Sequence, residues 1–355
     1  MENYEVHENK FMIKIDWLSF VVKNGMTLAD VFSRFGMDIS QFRQMSSGLK
    51  GYRSQYRYDI GQNGFVRVLY DGKEEMGINV EISGSAVSYA LDCFKDSLRR
   101  HTPFHSDAYE VPSDCSFSSL DYLMGLYLRS VREVADVARI DTAIDDFGIR
   151  YFSVSEVYEL IKNNQLLSHF RSYRYTYGGT IAKDECEGET LYIGSTKSAV
   201  FIRVYDKGLE QKNEMDWVRW ELQLRDEKAN AYADELIRSE CVSTVAIGVI
   251  SGMIRFIELD NSNRSRCSIL GKWADFILGV ETLVLSIPKN TPSVPAKKAW
   301  IVHQCTPTVL GLVEAYNGDI REALGIDDVN DVAYHFNRLS PELQRMFLNY
   351  SEGVN

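Results

Sequence analysis

RIDTAIDDFG, residues Arg139 to Gly148, is the stretch on which the fold turns. Successive strand side chains point to opposite faces. The run therefore sorts itself, with Arg139, Asp141 and Asp145 on one face and Ile140 and Ile144 on the other. A matching strand pattern stands near the start of the chain as KIDWLSFVVK, Lys14 to Lys23. Each copy is followed by a run with helical spacing, TLADVFSRF in the first and SVSEVYELIKNN in the second. Next, GYRSQYRYDIG (Gly51 to Gly61) matches FRSYRYTYGG (Phe170 to Gly179). GFVRVLYDGKEEMGINVEISG (Gly64 to Gly84) then matches VFIRVYDKGLEQKNEMDWVRWELQLR (Val200 to Arg225). Both copies pass into a helical stretch, SAVSYALDCFKDSLRRH and EKANAYADELIRSE.

Four blocks in one order read as an internal repeat. The expected fold is α+β, with two duplicated halves forming one antiparallel sheet, helices on one face, and a helical C-terminal region. The boundaries follow: residues 1–105 a first, degenerate repeat; 106–138 a loop and a connecting helix over Leu120 to Val137; 139–240 the second repeat, carrying the active site; 241–355 helical. Within the last portion, VSTVAIGVISGMIRFIEL and WADFILGVETLVLS have helical periodicity, and IPKNTPSVPAKK (Ile287 to Lys298) reads as a linker. Asp319, with Glu322 three residues on, and Ser340, followed by Pro341, read as helix caps.

Alternation extends the two faces across the second repeat. Arg203, Tyr205 and Lys207 share a face with Phe201, against Val200, Ile202 and Val204. Arg219, Glu221, Gln223 and Arg225 oppose Val218, Trp220, Leu222 and Leu224. A charged sheet face has two readings. One is a solvated outer surface. The other is a phosphoryl-transfer centre. Carboxylates hold a divalent cation through hard oxygens. Cation and arginines neutralise a phosphate in flight. A tyrosine in that positive surround can attack as a phenolate. The first repeat keeps Asp16, Arg67 and Glu81, with Leu69 opposite Tyr205 and Tyr70 one residue further on, so it reads as a binding surface. The arginine–tyrosine blocks also have two readings. Alternating cations and aromatics suit single-stranded DNA, and tyrosines also sit half-buried in ordinary strands.

Composition excludes several classes. The chain has 355 residues, 45% hydrophobic and 25% charged, so it can bury a core without disulfide staples. Its six cysteines form no CxxC pair, which speaks against a zinc ribbon or disulfide scaffold and for a reducing cytoplasm. The N-terminus does not read as a signal peptide, and no apolar run is long enough to span a bilayer. There is no P-loop, HExxH, GxSxG or histidine-hydrophobic-histidine motif. A formal net charge of −11 runs against nucleic-acid binding, so a DNA site would have to be a local basic groove.

ARIDTAIDDFG, ETLYIGSTKSAVFIRVYDKGLEQ and WVRWELQLR together resemble the replication initiation factor family, the rolling-circle initiators of Gram-positive plasmids and the related relaxases of integrative conjugative elements. KWADFILGVE and KKAWIVHQCTPTVLGLVEAY are similar to that family's tail. The resemblance implies a metal-dependent DNA nickase or relaxase. It would nick one strand at an origin, form a covalent 5′-phosphotyrosine and leave a free 3′ hydroxyl. Carried over by motif, Tyr205 is the nucleophile, with Tyr192 as fallback. Asp141 and Glu221 are the ligands of Mg²⁺ or Mn²⁺. Arg203, Lys207 and Arg219 hold the scissile phosphate or lower the tyrosine pKa. Arg53, Tyr56, Arg57, Arg67, Arg171, Tyr173, Arg174 and Tyr175 are the expected DNA-binding set. The implied partners are an origin, double-stranded with an extruded or single-stranded nick site, a host helicase, and a second copy in a homodimer. The competing expectation is a non-catalytic origin-binding protein that recruits another nuclease or helicase.

Overall fold

The computed structural model describes residues 11–23, 25–61, 64–101, 118–148, 151–180, 186–212, 215–277 and 306–326, with a few single positions up to 348. By packing, the chain divides into Met1–Ile287 and Pro288–Asn355.

The first half of the larger unit contains β1 (Phe11–Val22), α1 (Leu28–Arg34), β2 (Arg43–Gln44), β3 (Ser54–Ile60), β4 (Gly64–Tyr70), β5 (Ile78–Ser83) and α2 (Ala86–His101). After α3 (Ser118–Val134) the second half runs β6 (Ala135–Phe147), α4 (Val154–Lys162), β7 (Leu166–Ser168), β8 (Tyr173–Gly179), β9 (Cys186–Ile193), β10 (Val200–Asp206), α5 (Lys207–Glu210), β11 (Trp217–Arg225) and α6 (Asp226–Ser239). The unit continues with α7 (Val242–Met253), β12 (Ile254–Phe256) and α8 (Gly271–Phe276).

Ten strands form one sheet in the order β2-β3-β4-β5-β1-β6-β11-β10-β9-β8. All of its pairings are antiparallel. Five strands lie on each side of the β1–β6 seam, in the same relative order. The repeat is therefore real in space, and the fold is the expected α+β sheet. Helices α1 and α4, at equivalent places, start with the same device. Thr27 and Asp30 form a capping box in one, and Ser153 and Glu156 form it in the other.

One block shifts relative to the sequence reading. Counted outward from the seam, β3 corresponds to β9 and β2 to β8. The arginine–tyrosine match that equated β3 with β8 is thus one strand out. Two further corrections concern boundaries. The connecting helix stops at Val134, because Ala135 to Val137 already pair with β1. The helical run after Cys241 is interrupted by β12, which pairs with β7. A three-residue strand is too short to show a period of two.

The core lies on one face of the sheet. Ile140, Ile144, Ile202, Val204, Val218, Trp220, Leu222 and Leu224 are all buried there, as alternation predicts, against Leu128 of α3, Tyr232 and Leu236 of α6, and Trp273 and Phe276 of α8. Thr142 breaks the apolar pattern, but its hydroxyl meets the Tyr232 hydroxyl of α6 at 2.8 Å. In the smaller unit, Asp319 caps the helix Ile320–Leu324, accepting from the backbone of Arg321 and Glu322. Most of the linker from Ile287 to Lys298, and the Ser340 cap, fall outside the described residues. No helix among the described residues is long and apolar enough to cross a membrane.

The buried hydroxyl pair gives a test of the core. Thr142→Val or Tyr232→Phe alone should cost about 1–3 kcal/mol, because each strands its partner; the double variant should lose less than the sum. Urea denaturation of the four proteins measures the coupling.

Candidate active site

The charged face of the second half is a buried network, not a solvated surface. Asp141, Asp145, Arg219, Glu221 and Gln223 are all buried. Registers across the sheet set them in rows. One row runs Asp145, Arg219, Tyr205, Thr190, Thr176. The next runs Ala143, Glu221, Arg203, Tyr192, Arg174. A third runs Phe65, Ser83, Trp17, Asp141, Gln223, Phe201.

At the centre, the Tyr205 hydroxyl donates to Glu221 Oε1 at 2.7 Å. The other oxygen, Oε2, accepts from Arg203 Nε at 3.0 Å and Nη2 at 2.6 Å. The Arg203 guanidinium also lies 4.3 Å from the centre of the Tyr205 ring. Arg219 Nη2 donates to Asp145 Oδ2 at 2.8 Å. Its Nη1 reaches Asp16 of β1 at 3.2 Å and lies 4.0 Å from Glu221. Trp217 Nε1 donates to Asp145 Oδ1 at 2.8 Å. Asp141 is gripped by Arg139, with Nε to Oδ1 at 2.9 Å.

Lys207 departs from the alternation. Asp206 caps α5 by accepting from the Leu209 backbone, so the strand ends one residue before Lys207. Its ammonium still lies 5.5 Å from the Tyr205 ring centre and pairs with Glu210.

Electrostatics of this centre are mixed. Burial raises the Tyr205 phenol well above its usual value, and Glu221 adds to that; Arg219 and Arg203 pull the other way without cancelling it. The expected net lowering is therefore absent in the free protein, where Tyr205 is only 4% exposed. Burial likewise pushes Asp141 up to about 6; Arg139 opposes this, while Glu221 and Asp16 add to it as like charges. Asp141 and Glu221 offer hard carboxylate oxygens of the kind a divalent cation takes, and both are engaged by arginines in the free protein, Asp141 by Arg139 and Glu221 by Arg203. Among the described residues, no three Asp, Glu, His or Cys side chains stand together as a ready metal cage.

Tyr192 is the more open tyrosine. It lies half-buried beside Arg203, and the Arg174 guanidinium covers its ring at 4.5 Å.

The DNA-binding set divides by face. Arg57 and Arg67 point to the same side as Tyr205, both against the Phe65 ring at 4.5 and 4.6 Å, and Arg67 pairs with Glu81 at 2.9 Å. Arg174 joins them. Tyr56 instead packs on Phe32 of α1, and Tyr173 and Tyr175 pack on Tyr158 of α4, all on the helix side. Arg53 is exposed near Asp71. Arg171 lines a separate hollow with Arg264 beside β7. Period-two alternation itself sends neighbouring Arg and Tyr to opposite faces.

In the first half, Arg67 opposite Glu81 repeats Arg203 opposite Glu221, and Leu69 opposite Asn79 takes the place of Tyr205 opposite Arg219. Tyr70 faces away and accepts from Gln44 Nε2 at 3.0 Å. Sequence reasoning missed two members of the centre, Trp17 and Trp217. It also missed that Asp16 of the first half serves the second. A register shift between Ile15 and Trp17 brings Asp16 and Trp17 to the charged face together, and period-two alternation cannot show a bulge.

An antiparallel α+β protein with a tyrosine held between a glutamate and two arginines is thereby defined. The family model described as replication initiation factor matches residues 135–325, more than half of the chain. The chain belongs to the replication initiation factor family. It is 25% identical over 346 residues to the Bacillus subtilis (strain 168) protein named "Putative DNA relaxase NicK", covering 93% of this chain and 88% of that one. A solved rolling circle replication initiator protein from Geobacillus stearothermophilus is similar in fold, with a TM-score of 0.61 at 24% identity over 78% of this chain and 99% of that one.

Arg219 should be the least replaceable residue of the network. Arg219→Gln leaves buried Asp145 with only the more distant Lys14 ammonium, at 3.9 Å, as its cation and should cost about 3–5 kcal/mol. Lys162→Gln, which breaks the exposed pair with Glu159, should cost no more than about 0.5 kcal/mol. Chemical denaturation of both variants measures the contrast.

Proposed function

We propose that this chain is a site- and strand-specific DNA nicking and joining enzyme, a rolling-circle replication initiator or a relaxase. The observation that carries the reading is the Tyr205–Glu221 hydrogen bond, flanked by Arg203 and Arg219, in a member of the replication initiation factor family.

Tyr205 Oη attacks the scissile phosphorus. The new O–P bond joins the protein to the 5′ phosphate. The bond from phosphorus to the 3′ oxygen breaks, and that oxygen takes up a proton and leaves as a 3′ hydroxyl. The phenol proton is released to solvent as the O–P bond forms, and Glu221 Oε1, which accepts its hydrogen bond, orients the hydroxyl for attack. Burial and the neighbouring Glu221 keep the Tyr205 phenol protonated in the free protein. Arg203 and Arg219 stabilise the charge that develops on the phosphate oxygens. Joining is the same path reversed.

Asp141 and Glu221 would hold a divalent cation, Mg²⁺ or Mn²⁺, which would supply further positive charge to the phosphate. Arg57, Arg67 and Arg174, on the face of Tyr205, extend phosphate contacts along the strand. The substrate is an origin with an extruded or single-stranded nick site. A host helicase would unwind from the nick, and a homodimer is the assembly the family reading implies. Either a plasmid or an integrative conjugative element would carry such a protein, acting in the bacterial cytoplasm.

The burial of Tyr205 favours a second reading, an origin-binding protein that recruits another nuclease. One experiment separates them. Wild type, Tyr205→Phe and Tyr192→Phe are incubated with supercoiled DNA bearing the element's own origin, in Mn²⁺ or EDTA. The expected result is a metal-dependent 5′-linked adduct that Tyr205→Phe abolishes and Tyr192→Phe retains. Specific binding with no adduct from any version would put the origin-binding reading in its place.

A further inference from the structure

A groove of about 700 Å³ runs along the seam between the halves, and of its lining residues the chemistry above uses only Arg219. Lys14 and Trp17 of β1 and Phe65 of β4 line one side; Lys207 of α5 and Trp217 and Arg219 of β11 line the other. Tyr205 is not in its wall, but two of its neighbours are. Lys207 lies against the Tyr205 ring, and Arg219 is its register partner on β11. The groove therefore flanks the reacting phosphate.

Its lining combines three aromatic rings with three cations. Unpaired nucleotides need that pairing, rings for the bases and cations for the backbone. The carboxylates in the wall are already engaged, Asp16 by Arg219 at 3.2 Å and Glu210 by Lys207. Lys14 keeps its side chain 41% exposed, and its closest approach to an acid is 3.9 Å, to Asp145. Lys207 and Arg219 are committed in turn to these acids and to Asp145, so Lys14 is the cation of the wall least engaged by a carboxylate.

We propose that this groove holds an unpaired base next to the scissile phosphate, against Trp17, Phe65 and Trp217, with Lys14 on the adjoining phosphate. The inference rests on the reading that Tyr205 attacks DNA. It gives the first half a task that needs no nucleophile, since β1 and β4 supply one wall of the substrate site.

The test measures binding of single-stranded oligonucleotides spanning the nick by fluorescence anisotropy, with each flanking base replaced in turn by an abasic residue. Wild type, Phe65→Leu and Lys14→Gln are compared, and adduct formation by wild type on the unmodified strand is scored in parallel. Loss of one flanking base should weaken wild-type binding about tenfold, and the same loss should cost Phe65→Leu clearly less. Lys14→Gln should make the dependence of log affinity on log salt shallower by about 0.7. Should Phe65→Leu fail to fold, the salt slope of Lys14→Gln decides. A wild-type adduct, with equal abasic penalties in all proteins and an unchanged salt slope, overturns the groove and leaves the nicking reading standing. No wild-type adduct overturns the nicking reading, and the groove's assignment with it.

Discussion

The guanidinium of Arg219 is the point on which both halves of the sheet depend. It donates to Asp145 on β6 and to Asp16 on β1, and lies within 4.0 Å of Glu221 on its own strand. A buried carboxylate without such a partner would be costly. Burial opposes the charge on Arg219, and Asp145 and Asp16 more than offset it. One side chain thus fixes the seam between the halves and the surroundings of Tyr205. The Glu221 carboxylate completes the arrangement by dividing its oxygens between Arg203 and the tyrosine.

The duplicated sheet shows what this centre requires. Both halves keep an arginine opposite a glutamate, Arg67 with Glu81 and Arg203 with Glu221. One register step away, the first half has Leu69 and Asn79 where the second has Tyr205 and Arg219. Leucine carries no nucleophile and asparagine no charge. The first half therefore retains the polar scaffold without the reactive group, while Asp16 and Trp17 reach across the seam to the second half. The two copies divide the work between them.

Much of this was legible in the sequence because a strand's period of two is rigid. The assignment of Asp141, Arg203, Tyr205, Arg219 and Glu221 to one face, and of Ile140, Ile202, Trp220 and Leu222 to the other, needs only counting. Three features are not available to counting. The bulge beside Asp16 brings Trp17 to the charged face next to it without a mark in the sequence. The equivalence of β3 with β9 depends on pairing partners, while the similar strings lie in β3 and β8. The short strand Ile254–Phe256 exists because β7 is there to pair with it. Burial is likewise not available to counting, which leaves both readings of the charged face open. A charged face looks solvated until the aromatic and guanidinium stems that pack across it are placed, as with Arg139 over Trp17 at 4.5 Å.

The central claim is that Tyr205 is the residue joined to DNA. Peptide mapping of the covalent complex by mass spectrometry tests it most directly, after nuclease trimming and trypsin digestion. The account predicts the nucleotide adduct on the peptide from Val204 to Lys207, which contains Tyr205. An adduct on the peptide from Asp184 to Lys197, which contains Tyr192, would contradict it.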